Sequence, residues 1–302
     1  MSANYWDSTQ RNHWTLDKAT IFAARQDDLQ YISEKELTWL NLHYTNLIVQ
    51  LGRKLGVRQQ VVATATLYFK RYYTRNPFRK VDPILVVATC TFLAAKVEEC
   101  PHHIRSVVDG MRAVTEDIGG FPFESPHVAA FEFYLLEDLD FRLVAHHPYR
   151  PLLLLTGSHP TTSAPPDAPT LPLPPALLHT AWFAINDVVR TDVMLLHPPY
   201  VVALAVMFLV VVGEGGELGG EAAGYAAAQE GVWGGVERDK VAKFFAETNV
   251  DMAELLSIVH TLLRHYRDVE EYREFGEARV ADLIQKLHGG NQGGGQKEDA
   301  EG

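Results

Sequence analysis

Cysteine is scarce in this chain, with Cys90 and Cys100 the only two in 302 residues. They form no Cys-x-x-Cys pair, which argues against a disulfide framework or a structural zinc site and fits a reducing compartment, cytosol or nucleus. The N-terminal stretch MSANYWDSTQRNHW has no apolar core of the kind a signal peptide needs, so no secretory leader is predicted. The run from Tyr200 to Val212 is thirteen residues long, where a membrane-spanning helix takes about twenty. It reads instead as a helix buried on all faces, and no membrane partner is predicted. Gly-x-x-x-x-Gly-Lys-Ser/Thr, Gly-x-Ser-x-Gly and His-Glu-x-x-His are absent, so nothing here predicts an enzyme or a bound cofactor. The pairs His102-His103 and His146-His147 have no cysteine or carboxylate at ligand spacing, and no metal site is predicted.

A net charge of −11 disfavours nucleic acid as the main partner. The charge is uneven, however. From Gly52 to Val81 stand Arg53, Lys54, Arg58, Lys70, Arg71, Arg75, Arg79 and Lys80 with no acid among them. The run reads as a solvated helical face; its functional alternative is a positive patch docking an acidic surface or a phosphate backbone.

What is present is helical. Ser33-Glu34-Lys35-Glu36 is a capping box, followed by Leu37, Leu40, Tyr44, Leu47, Ile48 and Leu51 at helical spacing and by Gly56 as the stop. Val61, Ala65, Tyr68, Phe69 and Tyr72 mark a second helix that stops near Asn76-Pro77. Asp82-Pro83 opens a third, closed by Pro101 and rich in small residues that let neighbours approach. A weaker helix over Ile104 to Val114 and another from Ser125-Pro126 complete a compact all-α domain. Seven of the twenty residues from Thr156 to Pro175 are proline, which predicts an extended linker or loop. Helical signals resume over Leu177 to Arg190, Pro199 to Val212, Lys240 to Glu247, Met252 to Arg267 and Asp268 to Leu287. Nine of the 23 residues from Gly213 to Gly235 are glycine, which predicts a flexible insertion. The last fourteen residues read as a disordered tail.

The strings RQQVVATATLYFKRYYTR (Arg58 to Arg75), VDPILVVATCTFLAAKVEE (Val81 to Glu99) and FEFYLLEDLDF (Phe131 to Phe141) resemble the first box of a cyclin. HHPYRPL (His146 to Leu152), NDVVRTDVMLLHPPYVVALA (Asn186 to Ala205) and ANYWDST (Ala3 to Thr9) narrow the resemblance to the cyclin C family. The resemblance implies an all-α fold of two tandem cyclin boxes of about five helices each. Its expected division is an N-terminal extension (1–32), a first box (33–147), a junction and proline-rich linker (148–176), and a second box (177–268) interrupted at 213–235. A C-terminal helix (269–288) and the tail (289–302) complete it.

The family's function is implied with the fold: a non-catalytic subunit that binds and activates a cyclin-dependent kinase in Mediator's kinase module, acting in the nucleus on RNA polymerase II transcription. The alternative is a cyclin-fold general transcription factor that binds promoter DNA. By resemblance, Lys96 and Glu132 grip backbone groups at one end of the kinase's regulatory helix. Glu98 and Glu99 sit on the rim of that contact; Leu85 and Phe92 belong either to the core or to the apolar centre of the interface. Trp6, Tyr149, Arg150, Arg190 and Asp192 are candidates for a groove that takes another kinase-module subunit. A structural ion pair is the plainer reading for Arg190 and Asp192. Tyr5 and Trp6 precede any regular structure in the sequence pattern. An arginine–aspartate pair of cell-cycle cyclins would fall at Asn41 and Lys70, so it is absent and alanine at either position should be mild. Their substrate-docking patch would fall at Leu40 to Tyr44 and Leu47, where neither of its motifs occurs.

Overall fold

The computed structural model describes residues 4–159, 168–214, 232–233, 236–248 and 250–289. A 3-10 turn at Tyr5–Asp7 opens the chain, followed by α1 (Thr9–His13), α2 (Lys18–Ala24) and α3 (Gln26–Leu29). Tyr5 and Trp6 thus lie within regular structure, a correction to the sequence reading. Next come α4 (Glu34–Leu55), α5 (Gln59–Tyr72), α6 (Pro83–Val97), α7 (Ile104–Thr115) and α8 (Ser125–Asp138). After them stand α9 (Tyr149–Leu155), α10 (Pro175–Val188), α11 (Val193–Leu196) and α12 (Pro199–Glu214). The antiparallel pair β1 (Val232–Trp233) and β2 (Val236–Glu237) falls at the end of the glycine-rich stretch, most of which lies outside the described residues. α13 (Arg238–Glu247) and α14 (Met252–Glu271) follow. The break expected at residue 268 falls later, where a π-helical turn (Tyr272–Gly276) and a 3-10 turn (Glu277–Arg279) lead into α15 (Val280–Gly289). The tail beyond residue 289 lies outside the described residues.

Local chemistry explains the best-defined ends. Ser33 Oγ accepts from the Glu36 amide at 3.3 Å while Glu36 Oε2 accepts from the Ser33 amide at 2.9 Å, so two otherwise orphaned donors are satisfied reciprocally. Gly56, at φ 67°, closes α4 in the left-handed conformation that glycine adopts without a Cβ clash. Asp82 caps α6 through the Ile84 amide at 3.1 Å, with Pro83 at the first helical position.

The described residues form two compact units that do not follow chain order. One joins residues 8–145 with the segment from Tyr266 onward; the other joins the first described residues, through Asp7, with His146–His265. In the first unit α6 is central. It packs against α4, α5, α7 and α8, and every residue from Leu85 to Ala95 is buried. The C-terminal segment closes this core: Tyr272, Val280, Leu283 and Leu287 join the same apolar cluster as Trp39, Leu40 and Tyr44. In the second unit α12 packs against α9, α10 and α11, with Val201 to Met207 buried on all sides. No helix among the described residues is long and apolar enough to cross a membrane.

The basic run is not one solvated face. Lys70 and Arg71 are buried, while Arg53, Lys54, Arg58, Arg75 and Lys80 are exposed. Arg71 and Arg75 lie over the buried Trp14 ring at 5.1 and 4.8 Å from its centroid. Burial lowers the Arg71 pKa to about 10, because desolvation disfavours the charged form. Lys70 Nζ donates to Asn41 Oδ1 at 3.5 Å, so a hydrogen bond stands at the two positions where no ion pair is possible.

Candidate functional site

α6 and α8 pack side by side. Lys96, in the last turn of α6, is where that helix leaves the core: Ala95 is buried and Lys96 is exposed. Its Nζ forms an ion pair with Glu132 Oε1 on α8; the side chains are 41% and 12% exposed. The same ammonium lies 4.7 Å from the Phe92 ring centroid, one helical turn back, within range of a cation–π attraction. The sequence pair is therefore a structural pair as well. Lys96 offers N–H donors at the surface, and Glu132 holds it in place from a nearly buried position.

The neighbours divide. Leu85 and Phe92 both belong to the buried core cluster of the chain. Glu98 is not a free rim charge: its carboxylate accepts from Thr64 Oγ1 at 2.5 Å and Gln60 Nε2 at 2.7 Å. Its backbone carbonyl accepts from Arg58 Nη2 at 3.1 Å. Partial burial raises the Glu98 pKa, opposed by the Thr64 hydrogen bond and the Arg58 charge. Glu99 is exposed. Its φ of 53°, with Cys100 N–H donating to Ala95 O at 2.9 Å and Glu99 N–H to Lys96 O at 3.3 Å, ends α6 in a left-handed closing motif without glycine.

The second candidate group lies in the other compact unit. Tyr149 is buried, its ring 4.7 Å from that of Trp182 and its hydroxyl donating to Asn186 Oδ1 at 2.8 Å. Arg150 beside it is exposed. Arg190 Nη1 lies 4.0 Å from Asp187 Oδ1. Asp192 is half-buried and opens α11, its carbonyl accepting from the Leu195 amide at 2.9 Å. Trp6 is exposed, with its ring 5.5 Å from Tyr5 and 5.7 Å from Tyr200. Two clusters result: Tyr149 with Trp182 and Asn186, and Trp6 with Tyr5 and Tyr200.

The sequence reading passed over Phe133, Tyr134 and Phe141, which rank among the exposed large hydrophobic side chains. The signal was available, since α8 carries apolar residues on all sides rather than along one stripe. Among the described residues no group of three or more His, Cys, Asp or Glu could hold a metal ion. The arrangement offers charged hydrogen-bonding groups and aromatic surface, the equipment of a docking face.

A model of the cyclin N-terminal domain family matches residues 14–144. Cyclin-C of Rattus norvegicus is 34% identical over 297 residues, covering 95% of this chain and 91% of that protein. Cyclin-C of Drosophila melanogaster is 33% identical over 299 residues, covering 95% and 97%. The "RNA polymerase II holoenzyme cyclin-like subunit" of Yarrowia lipolytica is 33% identical over 282 residues, covering 91% and 96%. Among solved structures, a chain of the yeast TFIIK (Kin28/Ccl1/Tfb3) complex superposes with a TM-score of 0.57 at 23% identity, covering 85% of this chain and 98% of that one. A chain of the CAK complex of Chaetomium thermophilum gives 0.59 at 18% identity, covering 99% and 98%. At such identities these structures speak for the fold.

Proposed function

The chain belongs to the cyclin C family, and from that premise we propose that it is a non-catalytic regulatory subunit which binds and activates a cyclin-dependent kinase in nuclear RNA polymerase II transcription. The observation that carries this reading is the Lys96–Glu132 pair at the surface end of the α6–α8 packing, within a chain similar to cyclin-C proteins along nearly its whole length. A kinase becomes competent when its regulatory helix brings a glutamate to the ATP-binding lysine. A partner enforces that state only by binding it more tightly than the inactive one. Lys96 suits the carbonyls at a helix C-terminus, where the dipole favours a cation. Glu132 orients Lys96 and keeps a carboxylate next to the backbone groups it would meet. Glu99 lies on the exposed rim of this contact, and Glu98 braces the end of α6 from inside.

The relation to Mediator's kinase module is the finer part of the proposal. There the clusters around Tyr149 and Trp6, with Arg150, Arg190 and Asp192, would receive another module subunit. Exposed Trp6 and Arg150 are the residue types that dominate such contacts.

Reconstitution tests the reading. The purified chain alone should show no phosphotransfer, and adding it to the cognate kinase should raise phosphorylation of a polymerase tail peptide. Turnover that follows this chain's own elution profile, or a kinase equally active without it, would overturn the proposal.

A further inference from the structure

Arg71 is wholly buried, at 0% exposed, and keeps its charge. Desolvation lowers its pKa only to about 10, so the guanidinium is a cation at neutral pH. Its Nη1 donates to Arg142 O at 3.3 Å, while Nε and Nη2 are buried with no hydrogen-bond partner among the described residues. The Trp14 ring lies over the guanidinium, 5.1 Å from its centroid, and the indole Nε1 is buried and unpartnered too. Three N–H donors of one contact therefore lack acceptors, a cost that native proteins seldom leave standing.

The groups around this contact are committed elsewhere. Asp140 is held by Arg75 at 2.6 Å and lies 3.7 Å from Arg142, and the Asp138 carboxylate accepts from Asn76 Nδ2 at 3.2 Å. Arg75, which also lies over Trp14, donates to the Asp138 carbonyl at 2.8 Å. The Tyr68 hydroxyl donates to Leu143 O at 2.5 Å. Three guanidinium groups thus share this corner with two carboxylates, and the charge left without a partner is the buried one. A buried cation is normally paired. A water molecule brings lone pairs, but also two hydrogens that need acceptors of their own, and no charge. A monatomic anion accepts from all three donors and cancels the excess.

We infer that Arg71 and Trp14 form an internal site for a monatomic anion of the chloride class, held by the Arg71 Nε and Nη2 donors and by the Trp14 indole N–H. Arg71 and Trp14 are 0% and 2% exposed, which leaves no opening for a phosphate or for a carboxylate carried on a larger molecule. The place of the site gives it a consequence. Trp14 follows α1, and Arg71 holds the chain beyond α8 through the Arg142 carbonyl, so the anion ties both segments to α5. A ligand that binds only the folded chain stabilises it by mass action. The inference does not rest on the kinase reading, and its test uses no kinase.

The test is thermal unfolding of the full chain with gluconate exchanged for chloride at constant ionic strength. Raising chloride to about ten times its dissociation constant should lift the wild-type midpoint by about 3–5 °C. Trp14→Phe keeps the ring and loses one donor, so it should respond less; Arg71→Met should not respond at all. Crystals grown in bromide should show an anomalous peak within hydrogen-bonding reach of Arg71 Nε and Nη2. If Arg71→Met does not fold, Trp14→Phe and the bromide crystals decide between the outcomes. A wild-type midpoint that is the same in chloride and gluconate overturns the inference, and a bromide peak beside it would then be an adventitious ion only. An equal rise in wild type and Trp14→Phe is a general salt effect and overturns it too. So does a water at that position with no anomalous signal.

Discussion

His43 Nδ1 and the Tyr272 hydroxyl meet at 3.0 Å in the core of the first compact unit, 229 residues apart in sequence. Burial lowers the His43 pKa from 6.5 to about 4, so the ring is neutral in the folded protein where it would be charged in the unfolded chain. The unfolded state therefore binds the extra proton between those values, and stability falls as pH drops through that window. The displacement corresponds to roughly 3 kcal/mol at its full extent. Urea unfolding at pH 7, 5.5 and 4 should show this loss, and His43→Asn should flatten the profile relative to wild type. Parallel profiles for the two proteins would mean that His43 is not the titrating group. The comparison with the variant is essential, because Glu36 loses its own contribution at low pH. Its pKa is lowered by the Ser33 amide, so acid weakens the capping box in both proteins.

Lys70 revises an expectation. With no ion pair possible at Asn41 and Lys70, alanine at either looked mild. Yet Lys70 is buried and its ammonium donates to Asn41 Oδ1. Lys70→Ala removes a packed aliphatic stem and should cost about 2–4 kcal/mol. Asn41→Ala takes an acceptor from a buried cation and should cost about 1–3 kcal/mol. Lys70→Met, which keeps the stem, should recover part of the loss. Equal melting of Lys70→Ala and Lys70→Met would show that the stem does not pack as described.

These cases show which features were legible in the sequence. Ser33–Glu36 and Asp82–Pro83 are local signals; their donors and acceptors sit within a few residues, and the helices start there. Lys70 and Arg71 could not be read from pattern, since a basic residue at a helix end is usually solvated. Arg71 is covered by Trp14 and held by the Arg142 carbonyl, and Lys70 meets Asn41 on α4, all remote in sequence. The docking of the C-terminal segment was hidden for the same reason. Pro101 marks the end of α6 in the sequence, but the left-handed turns at Glu99 and Asp140 carry no glycine, the usual sign of such a turn. Lys96 and Glu132 were found through resemblance; their direct pairing came from the packing of α6 against α8.

Gly276 gives a sharp test of the C-terminal closure. A Cβ built there would lie 2.7 Å from Tyr272 Cδ2 and 2.9 Å from Trp39 Cδ2. Both rings are buried, so neither has solvent to move into. Gly276→Ala should destabilise the protein by about 1–3 kcal/mol through overpacking. Hydrogen exchange should rise first in residues 272–287 and in the α4 face around Trp39. A stable variant with unchanged exchange would mean that the segment is not seated against Trp39.

The ion pair between Lys96 and Glu132 sets the last prediction. Because the two side chains already bind one another at the surface, replacing either leaves the core intact, and thermal midpoints should move by no more than a few degrees. Kinase binding should suffer more. Truncating one partner of a charged hydrogen bond that becomes desolvated in an interface costs about 2–5 kcal/mol, roughly 30- to several-thousand-fold in affinity. Lys96→Ala removes the donor itself. Glu132→Ala frees the ammonium to adopt other rotamers, so its cost is the loss of a held orientation together with its own acceptor. The two effects should be less than additive, because each removes part of what the other needs. Kinase activity should fall at limiting concentrations of the chain and recover at saturation, if the weakened complex still favours the active arrangement. Circular dichroism confirms folding of each variant, and titration against the kinase completes the cycle. A folded Lys96→Ala, Glu132→Ala double variant with wild-type affinity would place the interface elsewhere on the molecule.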